Sequence, residues 1–316
     1  MISANRSPKV SVCIPTYNYG RFVADAIESV LGQTFSDFEL LVVDNCSTDN
    51  TRELVENYTR RDARVAYFCN EANLGMVGNW NRCLEHASGE YVKILCADDL
   101  LVPTCLGRQV IELEKNPEVV LVTCARQVTT ADLIPIKELR YAESYTVVSG
   151  ADAIRMCFTE GNLIGEPTAV LFRRKAAGRG FDMRYRQLVD QEMWFHLLEQ
   201  GSFAFLPEAL CMFRQHDEQA TNSNITSLAL VDDEFLIYNQ YGNKEYLQLP
   251  FLRKQKLKFL KALFCWNYQQ NGVDRRILKQ KIAGFYSLPL FYLLLVIKRI
   301  LDASKRLIFF TTGLST

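Results

Sequence analysis

The chain has no excess of charge of either sign: 36 Lys and Arg balance 36 Asp and Glu, with three histidines besides. Long-range attraction to nucleic acid therefore has no global source, and no nucleic-acid partner is expected. The ten cysteines form no C-x-x-C pair and keep no regular spacing, which argues against a secreted disulfide scaffold. Several of them, Cys13, Cys96 and Cys124 included, stand inside apolar runs and read as small buried hydrophobes. Unpaired thiols of this kind suit a reducing compartment. The opening residues, MISANRSPKVSVCIP, contain no apolar signal-peptide core, so a cytoplasmic protein is expected. No apolar run reaches the roughly 20 residues that a membrane span needs. Internal repeats and low-complexity tracts are also missing.

What is present reads as a globular α/β protein. At 316 residues, with 48% apolar and 23% charged side chains, the chain can bury a large core. Short β-branched runs stand at residues 9–14 (KVSVCI), 38–43 (FELLVV), 64–68 (RVAYF), 91–95 (YVKIL) and 119–123 (VVLVT). Helical patterns separate them at residues 21–31, 51–58, 78–87 and 103–114. In RFVADAIESVL the apolar residues recur at steps of three and four, as an amphipathic helix requires. This alternation predicts βαβ units, with a mostly parallel mixed central sheet flanked by helices. Residues 126–225 are more irregular, with a strand-like TAVLF at 168–172 and a helix near 190–200. From Leu228 onward nearly every pattern is helical, broken at Gly242 and Pro250.

The candidate chemistry falls in loops after these strands, the edge at which open α/β sheets bind ligands. Asp98 and Asp99 end the apolar run EYVKILCADDLLVP, where two desolvated carboxylates call for a cation or a polar ligand. They make a candidate site for Mg2+ or Mn2+ together with substrate phosphates. The alternative is that the pair caps the following helix. IPTYN (14–18) offers backbone amides and the Tyr17 ring to a nucleobase, and is equally a good strand-to-helix turn. In VVDNCSTDNT (42–51), Ser47, Thr48 or Asp49 suits the cap of the next helix. Asp44, at the strand end, can accept a base N–H or a ribose hydroxyl. Farther along, LVDQEMWFHLL holds Asp190, Glu192 and Trp194, and CMFRQHDEQATNS holds Arg214 and His216. An acid opening a helix is favoured at the positive end of the dipole, and can equally serve as general base for an acceptor hydroxyl. His216 sits in a polar run, which sets a phosphate or metal role beside a structural one.

The last segment, FYSLPLFYLLLVIKRILDASKRLIFF (285–310), interleaves Lys298, Arg299, Lys305 and Arg306 with large apolar residues. That pattern suits a basic helix lying in a membrane interface. The alternative is a helix packed on its own domain or on a second copy of the chain, as a homodimer.

Taken in order, SVCIPTYN, LLVVDNCSTDNT, NEANLG, ASGEYVKILCADDL, FDMRYRQLVDQEMWFHLL and FRQH resemble the motifs of family 2 glycosyltransferases, over residues 8–220. The resemblance implies a GT-A fold, inversion of configuration, a nucleotide-sugar donor (UDP by default) and a glycan or lipid-linked glycan acceptor. It implies a GT-A domain over residues 1–225, with donor half 8–125 and acceptor half 126–225. Residues 226–316 would be a helical extension, and the enzyme would be cytoplasmic or peripheral on the inner membrane face in bacterial surface-polysaccharide assembly. Carried over by position, Pro15, Thr16, Tyr17, Asn18, Asp44, Asn45, Asn73, Gly75, Asn81 and Asp98 would bind the nucleotide sugar. Asp99 and His216 would hold Mn2+ or Mg2+, and Asp190 would be the catalytic base. Three positions depart from the family pattern: Cys96 replaces an acid, Asn79-Trp80-Asn81 replaces Ala-Arg-Asn, and Val189 replaces the Glu before the base. Two competing readings are a nucleotidyltransferase, against which the single glycine and single arginine of IPTYNYGR argue, and a non-catalytic membrane-associated scaffold.

Overall fold

The computed structural model describes residues 7–217, 219, 228–268 and 272–312, with residues 301–312 described by backbone alone. It divides into two compact units, residues 1–222 and 223–316.

The first unit opens with the predicted alternation: β1 (Val10–Thr16), α1 (Val23–Leu31), β2 (Phe38–Asp44), α2 (Thr51–Thr59), β3 (Val65–Cys69), α3 (Gly75–His86) and β4 (Tyr91–Ile94). There follow β5 (Leu100–Leu101), α4 (Cys105–Lys115), β6 (Val119–Thr129), β7 (Pro135–Leu139), β8 (Thr146–Val148), α5 (Gly150–Glu160), β9 (Leu171–Arg173), α6 (Val189–Leu198) and β10 (Ser202–Arg214). The described strands form one sheet in the order β3-β2-β1-β4-β9-β6-β10-β5, with β7 on β6 and β8 on β10. β3, β2, β1 and β4 pair in parallel. β9 runs antiparallel to both β4 and β6, and β10 is parallel to β6, so β6 and β10 share the direction of the first four strands.

Alternation along β1 sends Val10, Val12 and Ile14 to one face, where Val23 and Ile27 of α1, Val55 of α2 and Leu106 of α4 join them in the core. Cys13 points to the other face, its Sγ meeting the Cys83 carbonyl of α3 at 3.6 Å. α6 packs on that second face through Trp194, whose ring lies 5.9 Å from Phe172.

Two sequence expectations need correction. TAVLF is not one strand: Pro167–Ala169 forms a 3-10 turn and only Leu171–Arg173 enters the sheet. Pro167 has no N–H for a ladder and starts the turn instead. The second is β10 (SFAFLPEALCMFR), a long strand inside the span expected to be irregular, which runs through Pro207. Register shifts between Leu206 and Ala209 absorb the proline, and the strand continues to Arg214.

In the second unit the described helices are α7 (Ala229–Tyr241), α8 (Phe251–Asn267), α9 (Arg275–Phe285) and α10 (Leu288–Thr312). The breaks at Gly242 and Pro250 fall where α7 ends and α8 begins. Phe285 stacks on Phe235 with ring centroids 4.0 Å apart. The ion pairs Lys261–Glu234 and Lys281–Asp232 tie α7 to α8 and α9. Asp274 caps α9 by accepting the Arg276 N–H at 2.8 Å. The side chains of Lys305 and Arg306, named above as part of the basic pattern, lie outside the described residues.

Candidate active site

β1, β2 and β4 end on one edge of the sheet, since Thr16 is in register with Asp44 and Cys13 with Ile94. Asp44 is buried. Its Oδ1 accepts from the Ser47 N–H (2.9 Å) and hydroxyl (2.6 Å), and its Oδ2 from the Tyr67 hydroxyl (2.6 Å). An ionised carboxylate offers about four acceptor positions, so a base N–H can add to these three. Ser47 thus braces Asp44 instead of capping α2, while Asp49 accepts the Thr51 N–H at 3.0 Å. Asn18, at φ 55°, ties the first loop to the second. Its N–H donates to the Ser47 hydroxyl (2.8 Å) and its Oδ1 accepts the Thr48 N–H (2.8 Å). Pro15 pairs with Val43 in the ladder and Tyr17 is exposed beside the loop. The buried Thr16 hydroxyl makes no hydrogen bond among the described residues.

A network of asparagines forms the next wall. Asn45 Nδ2 donates to Asn73 Oδ1 (2.8 Å) and to the Gly75 carbonyl (3.2 Å). Asn70 donates to Asn45 (3.1 Å) and Asn79 (2.9 Å), and Asn79 donates to the Val43 carbonyl (2.9 Å). Gly75 opens α3 at φ 73°, and its N–H reaches Asn73 Oδ1 at 2.8 Å. Asn81 stands apart from this network, its amide hydrogen-bonded to both the N–H (2.7 Å) and the carbonyl (3.0 Å) of Phe181.

The acid pair lies between β4 and β5 and caps no helix, since α4 begins only at Cys105. Pairing of β5 with β10, Leu101 opposite Cys211, holds the loop in place. Asp99 is fully buried. Its Oδ1 accepts the Arg214 N–H (2.9 Å) and its Oδ2 the Thr168 hydroxyl (2.6 Å), while that hydroxyl accepts the Cys96 N–H (3.2 Å). Burial, with Asp98 alongside, pushes the Asp99 carboxyl well above the usual carboxylate range. Asp98 Oδ2 lies 3.0 Å from His216 Nε2, and the His216 ring packs 4.7 Å from that of Phe22. Buried Arg214 pairs with Asp25 at 2.9 Å.

The ligand atoms of Cys96, Asp98 and Asp99 lie within 4.8 Å of one another. The two carboxylates fit a hard divalent cation, which relieves the repulsion of like charges in a desolvated loop. Burial and the two acids push the Cys96 thiol up and make it the weakest ligand of the three. Cys13 and Cys124 are buried as expected, but Cys96 is half-buried and belongs to this cluster, which corrects its reading as a packing residue. Its position follows the end of β4, where the chain leaves the core. His216 meets the cluster through Asp98 and is not one of its three members.

Asp190 sits in the first turn of α6. Its Oδ1 accepts the Gln191 N–H (2.7 Å) and its Oδ2 the Asn162 amide (3.3 Å). Burial pushes its carboxyl up to about 7, Glu166 acts in the same sense and Arg126 opposes it. Arg126, itself buried, forms an ion pair with Glu166. Gly165 has φ 105°, and a Cβ there would stand 2.8 Å from the Arg126 guanidinium carbon. Trp194 Nε1 donates to the Gly165 carbonyl at 3.0 Å, which fastens α6 to this loop. The charges of Asp99, Asp98 and Asp190 all act on the Cys96 thiol, in that order of strength after burial, so Asp190 shares the neighbourhood of the acid pair. Glu192 is fully buried, with both oxygens on Arg179 Nη2 (2.7 and 2.5 Å). The sequence did not single out Thr168, Asn162, Glu166 or Arg126. Of these only Arg126 left a signal, a cation inside the apolar run VVLVTCARQVT.

The family model described as Glycosyl transferase family 2 matches residues 11–181. The chain belongs to glycosyltransferase family 2. This family 2 enzyme is 28% identical over 276 residues to a putative teichuronic acid biosynthesis glycosyltransferase, TuaG, of Bacillus subtilis, across 86% of this chain and 99% of the relative. Staphylococcus aureus TarS 1-349 in complex with UDP-GlcNAc is similar with a TM-score of 0.57 at 18% identity, over 88% of this chain and 71% of that one. The mannosyltransferase PcManGT from Pyrobaculum calidifontis, in complex with GDP-Man and Mn2+, gives 0.61 at 21% identity, over 98% and 84%. These two likenesses establish the GT-A fold. As a family 2 glycosyltransferase the enzyme uses a nucleotide-sugar donor, as its motifs led us to expect.

Proposed function

We propose that this enzyme inverts the anomeric carbon in a single displacement, with Asp190 as general base and the loop from Cys96 to Asp99 holding a divalent cation. The observation that supports this best is the Asp190 carboxyl, lifted by burial to about 7 in the neighbourhood of the acid pair. Such a carboxylate is about half ionised near neutrality, well matched to take a proton from a hydroxyl in the transition state. Asp190 removes the acceptor proton as the acceptor oxygen bonds to the anomeric carbon and the bond to the diphosphate breaks. One displacement with no covalent intermediate leaves inverted configuration. Mn2+ or Mg2+, held by Asp99 and Asp98, would supply positive charge that stabilises the departing nucleoside diphosphate. His216 positions Asp98. Pro15 to Asn18 and Asp44 receive the nucleoside, and Asn45, Asn73 and Gly75 form the wall beside it.

The donor carries UDP in this proposal, as in the TarS complex, and the acceptor is a hydroxyl of a glycan or lipid-linked glycan. The teichuronic acid pathway named for TuaG supports that acceptor class. Calorimetric titration of UDP, dTDP, GDP and CDP with and without Mn2+, into wild type and Asp99→Asn, tests the donor side. Metal-dependent binding of one nucleotide, lost in the variant, is expected. Folded wild type that binds none of the four would transfer the reading to a non-catalytic scaffold.

A further inference from the structure

We infer that the second unit carries a docking surface for an anionic lipid bilayer, formed chiefly by the outward face of α10. The neutral total hides a segregation of charge. Residues 223–316 contain 14 Lys and Arg against 6 Asp and Glu, a net +8, which leaves −8 on residues 1–222. The same unit exposes large apolar side chains. α10 buries Phe291 and Leu295, while Leu290, Leu293, Ile297 and Ile300 are 37, 57, 42 and 60% exposed. At about 100° per residue these four fall on the arc opposite the buried pair. Lys298 and Arg299, both exposed, fall about 80–100° beyond the two ends of that arc, one on each side of the buried pair.

Two further helices repeat the arrangement. α8 begins with Phe251 and Leu252, 71 and 80% exposed, followed by exposed Arg253. α9 presents Ile277, 45% exposed, between Arg276 and Lys279. Apolar side chains flanked by cations are what an interfacial helix offers to acyl chains and acidic headgroups. Charge complementarity selects the bilayer as occupant, because a second copy would bring the same +8 to the contact. The proposal lays the helices in the interface: no single described helix is long and apolar enough to span, and α9 and α10, which reach that length and apolarity only as a pair, are bent by 109°.

The test is co-sedimentation of the full chain with phosphatidylcholine vesicles, with and without phosphatidylglycerol, at low and high salt. Partitioning at least tenfold stronger onto the anionic vesicles is expected, weakened by salt. The double variants L293Q/I297Q and K298E/R299E should each lower it by about tenfold or more, with melting temperature and nucleotide binding unchanged. Equal binding to both vesicle types would overturn the proposal, as would partitioning that L293Q/I297Q leaves intact. A wild-type dimer that L293Q/I297Q renders monomeric, with no vesicle binding by either, would assign the face to a second copy. Nucleotide titration reads the first unit alone, so failure here is distinct from failure of the transferase reading.

Discussion

At Asp190 the folded carboxyl titrates near 7 and the unfolded one near 3.8. Between those values the folded state binds more protons, so this group's contribution to stability falls as pH rises. Catalysis has the opposite dependence, because the base must be ionised. kcat/KM should therefore fall about tenfold per pH unit below about 7, and a flat profile down to about pH 5 would remove Asp190 from the role. Asp190→Asn should lower kcat by about 10²–10⁴-fold while donor affinity holds. The same variant should melt above wild type at pH 8, since it no longer carries a desolvated charge. Thr168 acts on the other acid, its hydroxyl donating to buried Asp99. Thr168→Val should cost about 1–3 kcal/mol in urea unfolding, because it strands that carboxylate oxygen.

Among the elements, the loop before α6 bears on the chemistry through its backbone. Gly165→Ala would force a side chain at φ 105° against Arg126, at a cost of about 1–3 kcal/mol in chemical denaturation. Transfer should fall with it, since Arg126 and Glu166 both act on Asp190. β1 to β4 and their helices were legible in the sequence because each is a local run of β-branched or periodic apolar residues. β5 was not, because a strand of two residues takes its conformation from its partners and not from propensity, and β9 was legible only as part of the longer run TAVLF. The site divides in the same way. Asp98, Asp99 and Asp190 were visible because bare acids at element ends demand an explanation. Their contacts were not, because Thr168 and the Arg214 backbone amide lie 69 and 115 residues from Asp99. The local motif suits Ser47 to a helix cap, yet its hydroxyl is drawn to buried Asp44.

Across the whole molecule all ten cysteines are free, seven of them buried. With Ellman's reagent, exposed Cys69 should react first, Cys46 and Cys96 more slowly, and all ten only after unfolding. Mn2+ with the cognate nucleotide should slow alkylation of Cys96 and leave Cys69 unaffected, as read by peptide mass spectrometry. Equal rates at Cys96 with and without them would separate the thiol from the ligand site. The order of the sheet also bears on how the protein is made. β6 is flanked by β9 and β10, both of which lie later in the chain. A ribosome adds about 5–20 residues per second, so the finished β6 waits about 4–17 s for Arg214 to be synthesised. Throughout that interval the edge that β10 will cover is open, and Asp99 lacks the backbone amide that later holds it. Cells that produce this enzyme quickly must shelter that edge on the nascent chain, and slow translation or a strand-covering chaperone should raise its soluble yield.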